Sequence, residues 1–293
     1  LRSDGTGAAR VPPPLRRGSS RAARLSTSGG RFDVSGLSDG RRRLLGRLRT
    51  RRTREREGLV LLEGPRGVRE ARAAGAVARY ALTSPRLDAL DPDLADELAG
   101  WCEVVHLPDA ELAAVSATEA PQGVLAVVVE PGDGWVADVG PDTRLLVLDA
   151  VQDPGNVGTL LRTAAAFDLD GVVLLDGCVD PWNPKAVRAS AGAAFRCPVA
   201  LRSWTAIAPL LEGAGLPLWV ADASGSGAGD SVRTGGWALI VGSEGRGARS
   251  EIRDRATGLA AIPMPGGTES LNAAVAGSIL VYEFTRPERG LGA

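Results

Sequence analysis

Apolar and polar positions alternate in blocks along the first half of the chain. The segment from Arg41 to Glu57, RRRLLGRLRTRRTRERE, places three leucines at helical spacing among arginines, which predicts a basic helix. Strand-like runs then alternate with helix-like stretches; the strand-like runs are LVLLEG, RYALTS, CEVVHL and GVLAVVVE. This alternation predicts a small α/β domain that ends near Glu130.

The second half repeats the alternation on a larger scale. The expected strands are RLLVLDA, GVVLL, LWVAD, WALIVG and LAAIPM, and helices are expected from Asn156 to Phe167, around PKAVRASAGA and from about Ser270 onward. Apolar strands without polar alternation predict a mostly parallel sheet covered on both faces. Ligands of such sheets bind beyond the carboxyl ends of the strands.

The composition divides the chain further. Residues 1–37 mix Arg, Ser, Gly and Pro and are expected to be a disordered basic segment, and residues 131–141 read as a linker. The predicted domains are therefore 38–130 and 142–293. Within the first 57 residues, 16 Arg stand against five acidic residues, a net charge of +11 in a chain whose total is −1. We expect a polyanion to bind at this basic end.

The sequence also limits location and chemistry. No apolar run approaches the roughly 20 residues that span a bilayer, so no membrane association is expected. Three scattered cysteines and a single histidine, His106, favour a reducing cytoplasm and predict neither disulfides nor a metal site. An organellar transit segment at the Arg- and Ser-rich start is the minority alternative. His106 follows a strand-like run, where a structural role is favoured over a catalytic one.

The first stretch with candidate chemistry is LDAVQDPGNVGTLLR. A tight turn, Asp153-Pro154-Gly155, precedes Asn156 at a plausible helix N-cap, and Arg162 follows two turns later. Both side chains could reach a pocket at the start of the helix if Arg162 extends backward. A capped helix with a solvated arginine explains the pattern equally well.

The second stretch is IVGSEGRG, a buried strand that runs into a glycine-rich loop with one carboxylate, Glu244. Glycines at relative positions 1, 4 and 6 fit neither the dinucleotide-binding pattern nor a phosphate-binding P-loop, and Lys185 is far away in sequence. A plain glycine turn is the alternative, although a carboxylate inside it is less expected.

The third stretch is IPMPGGTESLNAA. It combines a strand end, two glycines and a polar helix start. Capping by Thr268 or Ser270 would explain one polar residue and would leave Asn272 in the first helical turn without a role.

Taken together, GNVGTLLRTAAAF, IVGSEGRG and IPMPGGTESLNAAVAGSI resemble the three signature motifs of the SpoU, or TrmH, family of RNA 2'-O-ribose methyltransferases in the SPOUT superfamily. The segment PKAVRASAGAAFRCPV resembles the family's intervening segment. RRTREREGLVLLEGPRGVREARAAG is more distantly similar to the ribosomal-protein-L30e-like RNA-binding domain of many members. The resemblance implies a trefoil-knotted catalytic domain, S-adenosylmethionine as cofactor, and a homodimer whose partner helps to complete the active site.

The resemblance also assigns site residues. Those expected at the active site are Asn156, Arg162, Glu244, Ser270 and Asn272. Those expected to contact the cofactor are Gly242, Ser243, Gly245, Ile262, Met264, Ser270, Leu271 and Asn272. The arginines expected to contact RNA are Arg41, Arg42, Arg51, Arg52, Arg54 and Arg188.

A ribose 2'-hydroxyl needs its proton removed or shared, and it must lie in line with the sulfonium methyl group. Arg162 is expected to grip the adjacent phosphate and to stabilise the developing alkoxide, since guanidinium stays protonated. Glu244 is the carboxylate that could orient the hydroxyl or accept its proton, and the base remains open. Asn156 and Asn272 would hold the ribose or the cofactor.

The leading hypothesis is a methyltransferase for structured RNA, with ribosomal RNA favoured over transfer RNA. A non-catalytic RNA-binding or assembly protein with the same fold is the alternative from another class. A nucleotide-dependent oxidoreductase or ATPase is disfavoured by the glycine spacing and by the missing P-loop lysine.

Overall fold

The computed structural model describes residues 32–33, 36–134, 139–227, 235–268 and 270–286. Most of the predicted disordered segment, part of the predicted linker and Glu269 lie outside these residues. Within the described ranges no helix is long and apolar enough to cross a membrane.

Among the described residues, the smaller of two sheets is mixed and has five strands. They are β1 (Phe32–Asp33), β2 (Leu59–Glu63), β3 (Ala78–Thr83), β4 (Glu103–His106) and β5 (Val124–Val129). Their order is β1-β4-β3-β5-β2, and β5 runs antiparallel to both of its neighbours. The four apolar runs of the sequence therefore form β2 to β5, as predicted.

Helices pack around this sheet. They are α1 (Asp39–Leu48), α2 (Arg51–Glu57), α3 (Pro65–Ala73), α4 (Pro85–Leu90), α5 (Pro92–Ala99) and α6 (Asp109–Val115). The single basic helix predicted for residues 41–57 is two helices, broken at Arg49 and Thr50. Leu45 and Leu48 of α1 are fully buried, in agreement with the helical spacing of the leucines.

Within the part of the chain that the structure describes, the larger sheet has six strands, all parallel. They are β6 (Arg144–Asp149), β7 (Gly171–Leu175), β8 (Val199–Arg202), β9 (Leu218–Gly227), β10 (Trp237–Gly242) and β11 (Gly258–Ala261), in the order β11-β9-β10-β6-β7-β8. Every residue of β7 and β10 is buried, as expected for strands covered on both faces. The expected parallel α/β sheet is confirmed. The short strand β8 was not predicted, because Val199–Arg202 exposes Leu201, ends in the half-buried Arg202 and lacks a long apolar run.

In the described ranges five helices accompany this sheet: α7 (Pro154–Ala166), α8 (Pro184–Ala189), α9 (Trp204–Gly213), α10 (Ser250–Arg253) and α11 (Ala273–Thr285). A short 3-10 helix, Ala193–Phe195, follows α8. Helix α7 begins two residues before the predicted Asn156, and α11 begins three residues after the predicted Ser270. Both shifts arise from capping residues that the sequence analysis placed wrongly, as described below.

A buried ion pair joins the two sheet units. Arg54 on α2 is only 2% exposed, and its guanidinium donates to the carboxylate of Asp180, which precedes α8. The same guanidinium donates to the carbonyl oxygen of Leu48 at 2.7 Å. The prediction that Arg54 contacts RNA is therefore wrong: its side chain is buried and its charge is satisfied inside the protein.

Candidate active site at the strand ends

Adjacent strands β6 and β10 end together at the carboxyl edge of the parallel sheet. Asp149, the last residue of β6, lies in register with Gly242, the last residue of β10. The loops that follow these strands carry the first and second motifs of the sequence. The segment after β11 carries the third motif to the same edge, where Asn272 lies against α7. This is where ligands of parallel sheets bind.

The loop after β10 is a tight hairpin that requires glycine at Gly242. The backbone of Ser243 and that of Gly247 exchange two hydrogen bonds, of 3.1 and 2.9 Å. A Cβ atom at Gly242 would lie 2.1 Å from the nitrogen of Ala248 and from the carbonyl carbon of Gly247. No side chain fits there, so the returning backbone lies directly against the strand end.

Asp149 fixes the far side of this loop, a role that was not predicted from the sequence. Its fully buried carboxylate accepts two hydrogen bonds from Arg249, one from the backbone nitrogen and one from Nε, both of 2.8 Å. An acidic residue that closes an apolar strand was the available signal. The arrangement holds the hairpin and the end of β6 together.

Three polar side chains from the three motifs form a continuous hydrogen-bonded chain. Nδ2 of Asn272 donates to Oδ1 of Asn156 at 3.0 Å, and Nδ2 of Asn156 donates to Oε1 of Glu244 at 2.6 Å. Asn156 is buried, whereas Glu244 is exposed at the hairpin. This hydrogen-bonded chain holds the exposed carboxylate of Glu244 at the edge where the strands end.

The capping of both helices differs from the prediction. Helix α7 begins at Pro154, and Asp153 caps it by accepting from the backbone nitrogen of Asn156 at 3.0 Å. Asn156 is therefore in the first turn, which leaves its amide free to bind the other motifs. Helix α11 is capped by Asn272, whose Oδ1 accepts from the nitrogens of Ala274 and Val275 at 2.9 and 3.2 Å. Neither Thr268 nor Ser270 is the cap, and Asn272 has two structural roles.

A cavity of about 150 Å³ opens beside the hairpin. Its lining includes six of the residues expected to contact a cofactor: Gly242, Ser243, Ile262, Met264, Ser270 and Leu271. Gly245 does not line it and lies exposed within the hairpin. Asn272 does not line it either; it stands at the start of α11, whose residues Ala273, Ala276 and Leu280 form one wall. Apolar side chains and strand-end backbone dominate the lining, which is the usual character of a small-molecule site.

A second missed carboxylate, Asp222 of β9, also lines this cavity. Burial raises its pKa, but hydrogen bonds from Ser224 and the charge of Arg253 outweigh that effect, so that the pKa lies below the ordinary value. The ion pair with Arg253 ties β9 to α10. Asp222 therefore places a fixed negative charge at the cavity wall.

Arg162 lies apart from the hydrogen-bonded chain. Six residues separate it from Asn156, which on a helix of 3.6 residues per turn points the two side chains about 120° apart. Its side chain is exposed, and among the described residues it has no hydrogen bond or ion pair. The structure therefore brings Asn156, Glu244 and Asn272 together and leaves Arg162 on another face. Ser270 is exposed at the cavity and takes no part in the hydrogen-bonded chain of Asn272, Asn156 and Glu244.

The remaining arginines expected to contact RNA are accessible to different degrees. Arg41 makes a bidentate ion pair with Glu103 and lies 4.6 Å from the ring centroid of Tyr80. Arg42 and Arg51 form exposed pairs with acidic side chains, and such pairs exchange readily for other anions. Arg52 and Arg188 are exposed, with no ion pair in the described part of the chain.

The other titratable candidates have structural surroundings. Nδ1 of His106 lies 2.8 Å from the hydroxyl of Thr83 on the neighbouring strand. Cys102, Cys178 and Cys197 are free thiols, and burial raises their pKa values to about 12, 11 and 12. The described residues contain no group of three or more His, Cys, Asp or Glu side chains that could hold a metal ion.

Comparison with known proteins identifies the family. Residues 143–282 match the SpoU rRNA Methylase family, and residues 43–126 match the MRM3-like substrate binding domain. The chain is 32% identical over 239 residues to the 23S rRNA (guanosine(2553)-2'-O)-methyltransferase RlmP of Bacillus subtilis, covering 81% of this chain and 93% of that protein.

It is 35% identical to the human mitochondrial rRNA methyltransferase 3 over 65% of this chain and 46% of that protein. Among solved structures, the SpoU methyltransferase AviRb of Streptomyces viridochromogenes, in complex with AdoMet, superposes with a TM-score of 0.73 at 27% identity, covering 85% of this chain and 97% of that one. The three motifs, the parallel sheet and these similarities agree: the chain belongs to the SpoU rRNA methylase family.

Proposed function

We propose that the protein transfers a methyl group from S-adenosylmethionine to a ribose 2'-hydroxyl of ribosomal RNA. The observation that carries the proposal is the hydrogen-bonded chain Asn272–Asn156–Glu244, which gathers one residue from each motif beside a cavity at the strand ends. The printed name of the Bacillus subtilis relative, a 23S rRNA 2'-O-methyltransferase, supports ribosomal RNA over transfer RNA.

The lining of the cavity suits the cofactor chemically, and the cavity has room for part of the cofactor. Val241, Ile262 and Leu280 offer apolar surface for a planar base, and the strand-end backbone of Gly242 and Ile262 offers polar groups. Its 150 Å³ is below the roughly 300 Å³ at the lower end of small-molecule sites, so part of the ligand would lie outside it. Leu271, at 37% exposure, stands at the rim where that part would rest. The bound cofactor supplies an electrophilic methyl group.

The chain's own residues would position the hydroxyl. Glu244, held by the amide of Asn156, can accept a hydrogen bond from the 2'-hydroxyl and draw its proton away from oxygen. Asn272 holds the Asn156 amide in the orientation that donates to the carboxylate. Arg162 would bind the phosphate next to the reacting ribose, where its fixed charge stabilises the developing alkoxide.

We further propose that the active protein is a homodimer in which Arg162 acts across the interface. Val275, Ile279 and Tyr282 of α11 are 46, 36 and 48% exposed and lie four and three residues apart, so they form one apolar stripe. Thr163, next to Arg162, bonds to Ser278 of α11 at 2.7 Å. Helix α7, which carries Arg162, therefore packs against the helix that carries the stripe. Arg162 points away from Asn156 of its own chain, which supports a role in the site of a second copy.

Three broader assignments accompany this proposal. We propose the domain division 38–130, 131–141 and 142–293, which the separate family matches for residues 43–126 and 143–282 support. The return of the chain after β11 to the loops of β6 and β10 supports a trefoil knot. Free cysteines support a reducing compartment, for which we propose the cytoplasm. Because the human relative is mitochondrial, an organellar location is the alternative.

Two measurements separate this function from non-catalytic RNA binding. Calorimetry with S-adenosylmethionine is expected to show binding, because the cavity and its apolar lining are intact. Labelled methyl transfer to ribosomal RNA lacking its modifications is expected with the wild-type chain and is expected to fall strongly with Arg162→Ala. An RNA binder without catalysis would give no heat with the cofactor and no label in RNA.

A further inference from the structure

A second cavity, of about 360 Å³, lies where the two sheet units meet. One wall comes from the smaller unit, through Leu62 of β2 and Val124 of β5. The opposite wall comes from the larger unit, through Val187 of α8 and Ala191 beyond it. The volume falls within the range of about 300–1,000 Å³ that is typical of ligand pockets. Neither unit forms this cavity alone.

Two arginines from opposite units line the cavity. Arg66, in the first turn of α3, and Arg188, in the last turn of α8, are both exposed. Within the described part of the chain, neither has a hydrogen bond or an ion pair for its guanidinium. Glu63, an acidic residue of the wall, forms hydrogen bonds with other groups: its oxygens accept from the nitrogen of Ala117 at 2.6 Å and from the hydroxyl of Ser116 at 3.2 Å. Two guanidinium groups without an ion pair among the described residues thus line one cavity.

The rest of the lining offers what a nucleobase needs. Leu62, Val124 and Val187 provide apolar surface, and the exposed amide of Gln122 has no hydrogen bond among the described residues. An amide with a free donor and acceptor can bind the edge of any base. Apolar walls, one amide and two guanidinium groups fit a nucleotide better than they fit an acidic peptide, which would leave the apolar walls unused.

Close contacts hold together the junction that forms the cavity. Arg54 and Asp180 join the units through a buried ion pair. The turn at Gly192 lies directly on α3: a Cβ atom there would be 2.7 Å from both the carbonyl oxygen of Gly67 and Cβ of Glu70. Such close backbone contact, with φ +86° at Gly192, holds α3, which carries Arg66, against the segment that follows α8, which carries Arg188. A preformed site loses little entropy on binding.

We propose that this junction cavity binds one unpaired nucleotide of the RNA substrate at a distance from the methylated ribose. Arg66 and Arg188 bind its phosphates, the apolar walls enclose the base, and Gln122 contacts the base edge. The proposal rests on the proposed function, because it names how the RNA is held. The smaller unit then fixes the register of the RNA relative to the reacting ribose in the larger unit.

The test uses the full chain with unmodified 23S ribosomal RNA transcript and measures affinity from 50 to 300 mM salt. Each lost phosphate contact lowers the slope of log K against log salt by about 0.7–0.9. Arg66→Ala and Arg188→Ala are each expected to lower it by that amount, and the double variant by about twice as much. Lys185→Ala on α8 and Arg79→Ala on β3, exposed cations outside the cavity, are the matched controls.

A second measurement examines the base. RNA that contains 4-thiouridine is cross-linked to the protein by light, and the attached peptide is mapped. A cross-link in residues 116–124 or 187–191 that Ala120→Leu diminishes is expected, since Ala120 lines the cavity and a larger side chain fills it. Slopes equal to those of the controls together with no cross-link in these segments would overturn the proposal. In that event wild-type cofactor binding and methyl transfer would be unaffected, whereas failure of the proposed function would abolish both.

Discussion

The amide of Asn156 donates to the carboxylate of Glu244 at 2.6 Å, although the two residues are 88 positions apart in the chain. The contact exists because β6 and β10 are neighbours in the sheet and end in register. Parallel pairing brings the loop after each strand to the same edge. This short bond joins the first and second motifs into one site.

Asn272→Asp separates the two roles of Asn272. The carboxylate can still cap α11, so the free energy of unfolding should stay within about 0.5 kcal/mol of the wild type. The new carboxylate cannot donate a hydrogen bond to Oδ1 of Asn156. If the Asn156 amide turned so that its Nδ2 donated to this carboxylate, Nδ2 would no longer donate to Glu244. Methyl transfer should therefore fall about 10- to 100-fold, the equivalent of about 1.4–2.7 kcal/mol.

Asn272→Ala is the matched comparison. This substitution removes both the cap and the amide. The variant should therefore lose about 1 kcal/mol of stability, and its methyl transfer should fall as much as that of Asn272→Asp. Chemical denaturation and initial rates of methyl transfer check both values. Full activity in Asn272→Asp would show that the Asn272–Asn156 bond has no part in the reaction.

Gly242→Ala should abolish cofactor binding. The new Cβ would overlap the backbone of Gly247 and Ala248, so the hairpin must move away from the strand end. Gly245→Ala is the control, because a Cβ there has nothing within 4 Å. Calorimetry with S-adenosylmethionine compares the two variants. Equal binding by both would mean that the hairpin position does not shape the cofactor site.

Much of this site could be predicted from the sequence. The unbroken apolar runs of β6, β7 and β10 predicted a parallel sheet, and the sheet predicted where ligands bind. The polar residues of the three motifs were recognised as a group. The caps were wrong because Asp153, Asn156, Ser270 and Asn272 are all good N-cap residues, and only the folded backbone selects among them.

The functions of individual charges were harder to predict. Arg54 lies in a run of exposed arginines and differs from its neighbours only by facing Asp180, which is 126 residues away. The partners of Asp149 and Asp222 became visible only in the fold, where Arg249, at the start of α10, and Arg253, at its end, reach them. Long-range ion pairs leave no local pattern in a sequence.

Arg54→Ala should destabilise the protein by about 3–5 kcal/mol, because it leaves the buried carboxylate of Asp180 without its partner. Arg51→Ala, which removes an exposed partner of Glu55, should cost less than about 0.5 kcal/mol. Urea denaturation measures both. If Arg54→Ala lost as little stability as Arg51→Ala, the ion pair would not hold the two units together.

The three thiols should react slowly with iodoacetamide at pH 8. Burial raises their pKa values to about 11–12, so the reactive thiolate is scarce in the folded state. The unfolded thiols ionise near pH 8.5, and the unfolded state therefore binds fewer protons above that pH. This contribution to stability is complete below about pH 8.5 and is lost as the pH rises toward 11–12. Mass spectrometry of alkylation with and without urea checks the first point, and fast labelling of the folded chain would contradict it.

The most direct test of the account is to locate the methyl group on the RNA. Unmodified 23S ribosomal RNA is incubated with the full chain and labelled S-adenosylmethionine, digested with alkali, and analysed by mass spectrometry. A ribose 2'-O-methyl group blocks alkaline cleavage of the adjacent phosphodiester, so the account predicts label in an alkali-resistant dinucleotide, and a strong loss of label with Arg162→Ala. Label on a base, or no label from a chain that binds the cofactor, would contradict it.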